Sequence, residues 1–373
     1  MKVCFITNRL VLTDGSGRSS VSIIEELKKQ GIIVKVLLSQ NAPASDLKEV
    51  EQYKILKSLR NYRAKWFYLV SDFLKAKKYI ADCDLIHCEI EPFAPLTYLL
   101  ARFSGKPYFL MVHGHFALKP LKVWYLSGIF KQAYAKAAKI FCNSAYTQKR
   151  FLKEVKTNNT EVIGRGVDWG KFRDFDQGSI EKSDQKIILS VGIIKRRKGY
   201  HISLPAIAKV VEQYPNLKYI IVGLNSNDDY FLELKQIIKN HNLADKVEFK
   251  TDITETELVQ LYYQADIFLL TPINVKDRFE GLGMVYLEAN AAGKPVIGTY
   301  DCGAEDAIKD GYNGFLVPQD DIDVTAQVIL KLLNDQALAL KLGENGKALI
   351  QDLTWEKVVK KIISNYELVT RKN

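Results

Sequence analysis

Short apolar runs rich in β-branched and aromatic residues alternate with amphipathic helical patterns along nearly the whole chain. A strand that recurs after each helix rejoins its sheet through a crossover, so this order dictates α/β layers around parallel sheets. In the first half, "KVCFIT" (2–7), "IIVKVLLS" (32–39), "DLIHCEI" (84–90), "PYFLMVHG" (107–114), "AKIFCNS" (138–144) and "EVIGRGV" (161–167) read as strands. "GRSSVSIIEELKKQG" (17–31) reads as a helix ended by Gly31. In the second half, "KIILSVG" (186–192), "KYIIVG" (218–223), "VEFKT" (247–251), "ADIFLLTP" (265–272), "KPVIGT" (294–299) and "GFLVP" (314–318) continue the series. "HISLPAIAKVVEQYP" (201–215) and "DYFLELKQIIKNHNL" (229–243) carry apolar residues at helical spacing, and "DIDVTAQVILKLLND" (321–335) opens on an aspartate cap.

Only "KFRDFDQGSIEKSDQ" (171–185) lacks either period around the middle of the chain. It is polar and separates two αβ series, which puts a domain boundary between residues 175 and 176. A chain of 373 residues is too long for one ordinary core, and two domains suit it.

Composition excludes several classes. No run of about 18 uncharged apolar residues occurs, so no transmembrane helix is expected. The start "MKVCFITNRL" reads as a strand and a polar loop rather than a signal peptide. The five cysteines, Cys4, Cys83, Cys88, Cys142 and Cys302, are scattered and lack metal-ligand spacing. A reducing cytoplasm is the simplest setting. Residues 1–175 hold 29 Lys or Arg against 15 Asp or Glu, whereas the remainder holds 24 against 28. A basic first half has two readings: solubility by lysine, or an anionic partner such as phosphates or a membrane surface. "LKSLRNYRAKWFYLVSDFLKAKKYI" (56–80) sharpens the question. Leu59, Tyr62, Trp66, Leu69, Val70 and Phe73 fall on one helical face among lysines and arginines. Such a helix either lies on an anionic bilayer or turns its stripe into a core.

Four stretches carry candidate chemistry. "DGSGRSS" (14–20) joins the first strand to the first helix, with Gly15 and Gly17 able to admit a ligand to the backbone. Ser20 stands where a dinucleotide fingerprint needs its third glycine, which disfavours a nicotinamide-dependent oxidoreductase. "PYFLMVHGHF" (107–116) ends an apolar strand in His113, at the carboxyl edge where open α/β sheets bind ligands. "SVGIIKRRKG" (190–199) places Lys195, Arg196, Arg197 and Lys198 between a strand and a helix. Consecutive cations repel, so either a polyanion or bulk solvent must accommodate them. In "FEGLGMVYLEANAAGKPVIG" (279–298), Glu280 precedes the turn Gly281-Leu282-Gly283, and Glu288 falls inside an apolar helix. A buried carboxylate needs donors. A ribose diol or an internal Lys or Arg would serve.

These pieces, in this order, resemble the retaining glycosyltransferases of family 4, whose GT-B fold sets two Rossmann-like domains across a cleft. The resemblance spans essentially the whole chain. It rests on the Gly-rich first turn, "MVHG", "GVDWGKF" (166–172), "SVGIIKRRKG", "EGLGMVYLEANAAGKPVIG", "DGYNGFLVP" (310–318) and the closing "LTWEKVVKKIISNYELV" (353–369). Glu280 and Glu288 match the family's E-x7-E pattern. The resemblance implies an acceptor-binding domain (1–175), a nucleotide-sugar-binding domain (176–353) and a final helix (354–373) that crosses back to the first domain. Trp355 and Tyr366 would then be packing residues.

The resemblance also implies roles. Lys198 corresponds to the lysine on the nucleotide diphosphate, Glu288 to the ribose glutamate and Glu280 to the sugar-contacting one, aided by the backbone of Leu282 and Gly283. His113 corresponds to the histidine beside the sugar and the departing phosphate. Gly15 and Gly17 correspond to the loop approaching the diphosphate, and Thr251, Asp252 and Ile253 to the base-contacting loop. Two positions depart from the family pattern. Ile193 stands where an arginine usually pairs with the lysine, so Arg197 or Arg196 is the replacement cation. Arg165 replaces the asparagine of the family's "NGVD".

Activity follows from the resemblance as transfer of a hexose, with retention, from UDP-sugar first or GDP-mannose second, to a glycan or lipid-linked acceptor. The acceptor is expected near Arg18, His87, Glu89 and His115. No cofactor and no metal are expected, since cations and helix N-termini stabilise the leaving diphosphate. No nucleic-acid motif accompanies the basic half. A catalytically silent sugar-nucleotide-binding or scaffold protein is the alternative, motivated by Ile193 and Arg165.

Overall fold

The computed structural model describes residues 1–12, 15–57, 66–179, 184–224 and 229–371. The chain divides into two compact units, Met1–Gly166 with Trp355–Asn373, and Val167–Thr354. The division thus falls somewhat before the polar stretch that marked it in the sequence.

Among the described residues, the first unit contains β1 (Lys2–Ile6), β2 (Ile33–Ser39), β3 (Glu51–Leu56), β4 (Leu85–Cys88), β5 (Tyr108–Val112), β6 (Lys139–Cys142) and β7 (Thr160–Val162). All pair in parallel, in the order β3-β2-β1-β4-β5-β6-β7. The inner strands bury both faces and read as continuous apolar runs, as "YFLMV" does at β5. The strand β3, "EQYKIL", was not anticipated. It lies at the sheet edge, where solvent on one side permits glutamate and lysine, so it lacks the apolar signal.

Residues 58–65, and with them Leu59 and Tyr62 of the basic amphipathic stretch, lie outside the described residues. The described helix there is Trp66–Ala76. Phe73 packs edge-on against Phe103, while Val70 and Leu74 are exposed. Among the described residues no helix is long and apolar enough to cross a membrane. All five cysteines are free and buried.

The final helix, Trp355–Thr370, belongs to the first unit and packs on the helix Gly15–Lys29. Its apolar face, Val358, Val359, Ile362 and Tyr366, joins the core formed by Val3, Phe5 and Phe109. Tyr366 is fully buried with its ring edge-on to Phe109, centroids 4.7 Å apart, a burial worth about 2 kcal/mol. Gly166 admits the helix start: a Cβ there would lie 2.4 Å from the Trp355 backbone nitrogen.

The second unit contains β8 (Lys186–Val191), β9 (Leu217–Val222), β10 (Val247–Lys250), β11 (Ile267–Leu269), β12 (Val296–Thr299) and β13 (Gly314–Val317) among its described residues. They form a parallel sheet in the order β10-β9-β8-β11-β12-β13. The helix Ile322–Asn334 starts on Asp321, whose carboxylate accepts from the Val324 amide at 2.9 Å. In each sheet the strand order reverses once, at β1/β4 and at β8/β11. Loops leaving those neighbours run to opposite faces and open a crevice at the carboxyl edge.

Candidate active site

In the second unit the crevice is built from the loops after β8 and β11. The first leads through the 3-10 turn Arg196–Lys198 to Gly199 and the helix Tyr200–Val211. Gly199 has φ of +75°, and a Cβ there would lie 1.7 Å from the Thr271 carbonyl oxygen. Only glycine lets the two loops approach this closely. Thr271 Oγ1 donates to the Gly199 carbonyl at 2.9 Å, and the Ile273 amide donates to the Arg197 carbonyl at 2.9 Å. The cation turn is thereby clamped to the loop that carries Glu280.

Glu280 Oε2 lies 2.7 Å from Lys198 Nζ and 2.7 Å from Arg197 Nη1. Burial alone would raise its pKa, but Lys198 and Arg197 outweigh that and push it down to about 2. Arg196 points elsewhere, paired with Glu233 and 5.1 Å above the Tyr230 ring. Ile193 is exposed and uncharged. Of the two arginines open as replacement cations, Arg197 is therefore the one that joins Lys198.

The turn Gly281-Leu282-Gly283 follows. The Gly303 amide donates to the Glu280 carbonyl at 2.8 Å, and a Cβ on Gly303 would lie 2.3 Å from the Gly281 carbonyl. Gly283, with φ of +79°, begins the helix Met284–Ala291. Glu288 sits within that helix, 9% exposed, and accepts a 2.8 Å hydrogen bond from the Tyr262 hydroxyl. The Tyr262 hydroxyl is thus one donor that meets the need of this carboxylate. Thr251, Asp252 and Ile253 follow β10, with β9 between that strand and β8. Asp252 adopts φ of +54°, and Ile253 packs on the core.

A second constellation lies at the carboxyl edge of the first unit's sheet. His113 follows β5, its Nε2 2.6 Å from the Glu89 carbonyl oxygen and its Nδ1 2.6 Å from Arg165 Nη2. Arg165 Nη1 donates to the Gly15 carbonyl at 3.1 Å. Glu89 is fully buried, accepting from Ser19 Oγ at 2.9 Å and lying 3.3 Å from His87 Nε2. His87 is also fully buried, stacked on Phe5, with its Nδ1 2.5 Å from the Tyr366 hydroxyl. Burial opposes ionisation of Glu89, yet His87, His113 and Arg165 keep its pKa below the ordinary value.

His87 and Glu89 cannot touch an acceptor with their side chains, because neither exposes any surface. Both are spent on an internal network. Gly17 is likewise required by packing, since a Cβ there would lie 2.4 Å from the Val11 carbonyl, whereas Gly15 faces open space.

Glu91 escaped the sequence reading. It opens the 3-10 turn Glu91–Phe93, is 4% exposed and accepts from the His113 amide at 2.7 Å. Burial pushes its pKa up to about 7. The signal was available in "CEIEP", where two carboxylates flank one isoleucine at the end of an apolar strand.

Two parallel sheets, each with a constellation at its carboxyl edge, define the GT-B class, and solved structures with that fold superpose over the whole chain. Anabaena HepE in complex with UDP gives a TM-score of 0.81 at 19% identity, covering 98% of this chain and 100% of that one. Sucrose-phosphate synthase from Thermosynechococcus elongatus gives 0.81 at 21% identity, covering all of both chains. Residues 13–170 match the model described as Glycosyltransferase Family 4, and residues 171–349 match Glycosyl transferases group 1. The chain belongs to the family 4 glycosyltransferases. An uncharacterized glycosyltransferase of Methanocaldococcus jannaschii is 29% identical over 80% of this chain and 80% of its own length. The phosphatidyl-myo-inositol mannosyltransferase of Mycolicibacterium smegmatis is 26% identical over 79% of this chain and 74% of its own.

Proposed function

We propose that this glycosyltransferase moves a hexose, with retention of configuration, from a nucleoside-diphosphate sugar to a glycan or lipid-linked acceptor. The observation that carries the reading is the pair of buried-edge cations, Lys198 and Arg197, converging on Glu280 beside the glycine turn. A departing diphosphate gains negative charge as the anomeric carbon becomes cationic, and fixed cations in a partly desolvated crevice stabilise that charge without reorganising. Lys198 and Arg197 hold the diphosphate, a role that requires no metal in this reading. Glu280 positions the sugar together with the backbone of Gly281, Leu282 and Gly283. Glu288, oriented by Tyr262, takes the ribose hydroxyls, and Asp252 and Ile253 border the base. By the family resemblance, His113 is assigned to the sugar and the departing phosphate, and Gly15 and Gly17 to the diphosphate. The leaving phosphate accepts the acceptor's proton.

A UDP-sugar is the first choice of donor and GDP-mannose the second. The UDP-bound HepE structure supports the former, and the GDP-mannose-dependent mannosyltransferase of Mycolicibacterium smegmatis, 27% identical over 73% of this chain, supports the latter. A cytoplasmic protein approaching an anionic membrane surface through its basic first half completes the proposal. Phe116, Trp124 and Tyr125 are exposed there, Trp124 at 88%, with Lys119 and Lys122 between them. Thermal shifts with UDP, UDP-glucose, GDP and GDP-mannose test the donor site. UDP should stabilise the wild type, and Glu288→Ala and Lys198→Ala should sharply reduce the shift. If UDP and GDP both leave the wild type unmoved, the donor reading fails. Ligand binding without transfer to any acceptor would favour a silent binding protein instead.

A further inference from the structure

Arg165 departs from the family's asparagine, and its environment is unusual for an arginine. It is 8% exposed, and its Nε has no partner among the described residues. An unpaired buried N–H is costly, so mere space-filling would favour a smaller apolar side chain. The two other nitrogens are committed, Nη1 to the Gly15 carbonyl and Nη2 to His113 Nδ1. A guanidinium has donors only. Nδ1 of His113 must therefore accept, which leaves the imidazole proton on Nε2, where it meets the Glu89 carbonyl at 2.6 Å. Both ring nitrogens are then used, each in one role.

We propose that Arg165 is a positioning residue that locks His113 as the neutral Nε2–H tautomer, with its Nδ1 lone pair occupied and its ring fixed at the carboxyl edge of β5. Protonating Nδ1 would set a second cation against the guanidinium 2.6 Å away. The groups facing His113 are Arg165 after β7, Glu89 and Glu91 after β4, and His87 on β4. Glu89 lies 3.4 Å from Nε2 and 3.7 Å from Arg165 Nη2, so it balances the guanidinium and reinforces the proton on Nε2. Burial and Arg165 lower the His113 pKa to about 4, in keeping with that geometry. His113 is consequently no proton carrier near neutral pH; it offers a rigid, uncharged surface. Its part in sugar transfer rests on the reading above, but its tautomer does not.

The test uses the full chain labelled with 15N-histidine. Five histidines are present, and His113→Asn identifies the signal. In the wild type, two-bond 1H–15N spectra should show His113 as the neutral Nε2–H form from pH 5.5 to 8. In Arg165→Asn the apparent pKa should move upward by about one unit or more, because a repelling charge and a hydrogen bond to the neutral form are both lost. Arg165→Lys, which keeps the charge but not the fork, should fall between them. A wild-type His113 in the Nδ1–H form, or protonated at pH 6.5, overturns the proposal without any variant having to fold. So does an Arg165→Asn titration identical to wild type. With a donor in hand, Arg165→Asn should lower kcat about tenfold and leave the nucleotide Kd nearly unchanged. Unaltered kcat alongside a retitrated His113 would overturn the positioning role while sparing the donor reading, which the UDP shifts test separately.

Discussion

Lys198 Nζ and Arg197 Nη1 each stand 2.7 Å from the same oxygen, Oε2 of Glu280. One carboxylate thus neutralises part of the charge that the proposed mechanism assigns to a diphosphate. In that proposal the internal anion and the ligand would compete for the same donors, and the consequence is measurable.

Glu280→Gln should destabilise the ligand-free protein by about 1–3 kcal/mol, since two neighbouring cations lose their partner. The same change should enlarge the thermal shift produced by UDP, because the ligand then meets uncommitted cations. Transfer should fall about a hundredfold or more if Glu280 positions the sugar. A UDP shift smaller in the variant than in the wild type would rule out competition.

Glu288 and the cation pair are expected to read different parts of one ligand. Glu288→Ala should weaken nucleoside-diphosphate binding by about tenfold or more and leave inorganic pyrophosphate binding almost intact. Calorimetry with UDP and pyrophosphate separates the two effects. Tyr262→Phe should reproduce a fraction of the loss, because it removes the 2.8 Å hydrogen bond that orients the carboxylate.

Gly199→Ala should be severely destabilising, by about 3 kcal/mol or more, since its φ is positive and the added methyl would meet the Thr271 carbonyl. Denaturant unfolding measures this directly. A mild effect would mean that the loops after β8 and β11 can separate without cost.

Glu91 makes stability depend on pH with a definite sign. Its pKa is raised to about 7 in the folded protein, against an ordinary carboxylate value of 4.5. Between those limits the folded state holds a proton that the unfolded chain releases, so its contribution is present at low pH and is lost as pH rises towards and through 7. Glu91→Gln should remove that decline, seen as a flatter Tm between pH 5 and 8. His113 acts oppositely: folded near 4 against an ordinary 6.5, its contribution is present above 6.5 and is lost as pH falls from 6.5 to 4. Comparing Glu91→Gln with His113→Asn resolves the two slopes.

Tyr366→Phe should cost about 1–3 kcal/mol, because it leaves His87 Nδ1 buried and unpaired while keeping the ring against Phe109. Equilibrium unfolding compared with wild type checks it. No loss of stability would mean that the hydroxyl contributes nothing to anchoring the final helix.

Much of the architecture was legible in the sequence because the physics involved is local or periodic. A run such as "YFLMV" announces an inner parallel strand, since both faces of such a strand are buried and every residue reports it. Glu280 and Glu288 stood out because a carboxylate in apolar surroundings is costly, and the glycines between them marked a turn entering a helix. The edge strand β3 was missed for the complementary reason: exposure removes the constraint that writes a pattern.

Tertiary structure alone decided which partners meet, because hydrogen bonds between loops distant in sequence leave no periodic trace. Nothing in "KRRK" distinguishes Arg197 from Arg196; the Gly199–Thr271 contact orients the turn so that one reaches Glu280 and the other Glu233. Nor does the sequence show that His87 and Glu89 are internal, or that Tyr366, far along the chain, closes their network. Arg165 is the clearest case. In the sequence it was a departure from a pattern, and in the folded chain its donors settle the protonation state of His113. A local sequence can say that a buried charge needs a partner, but only the packed chain brings that partner within 3 Å.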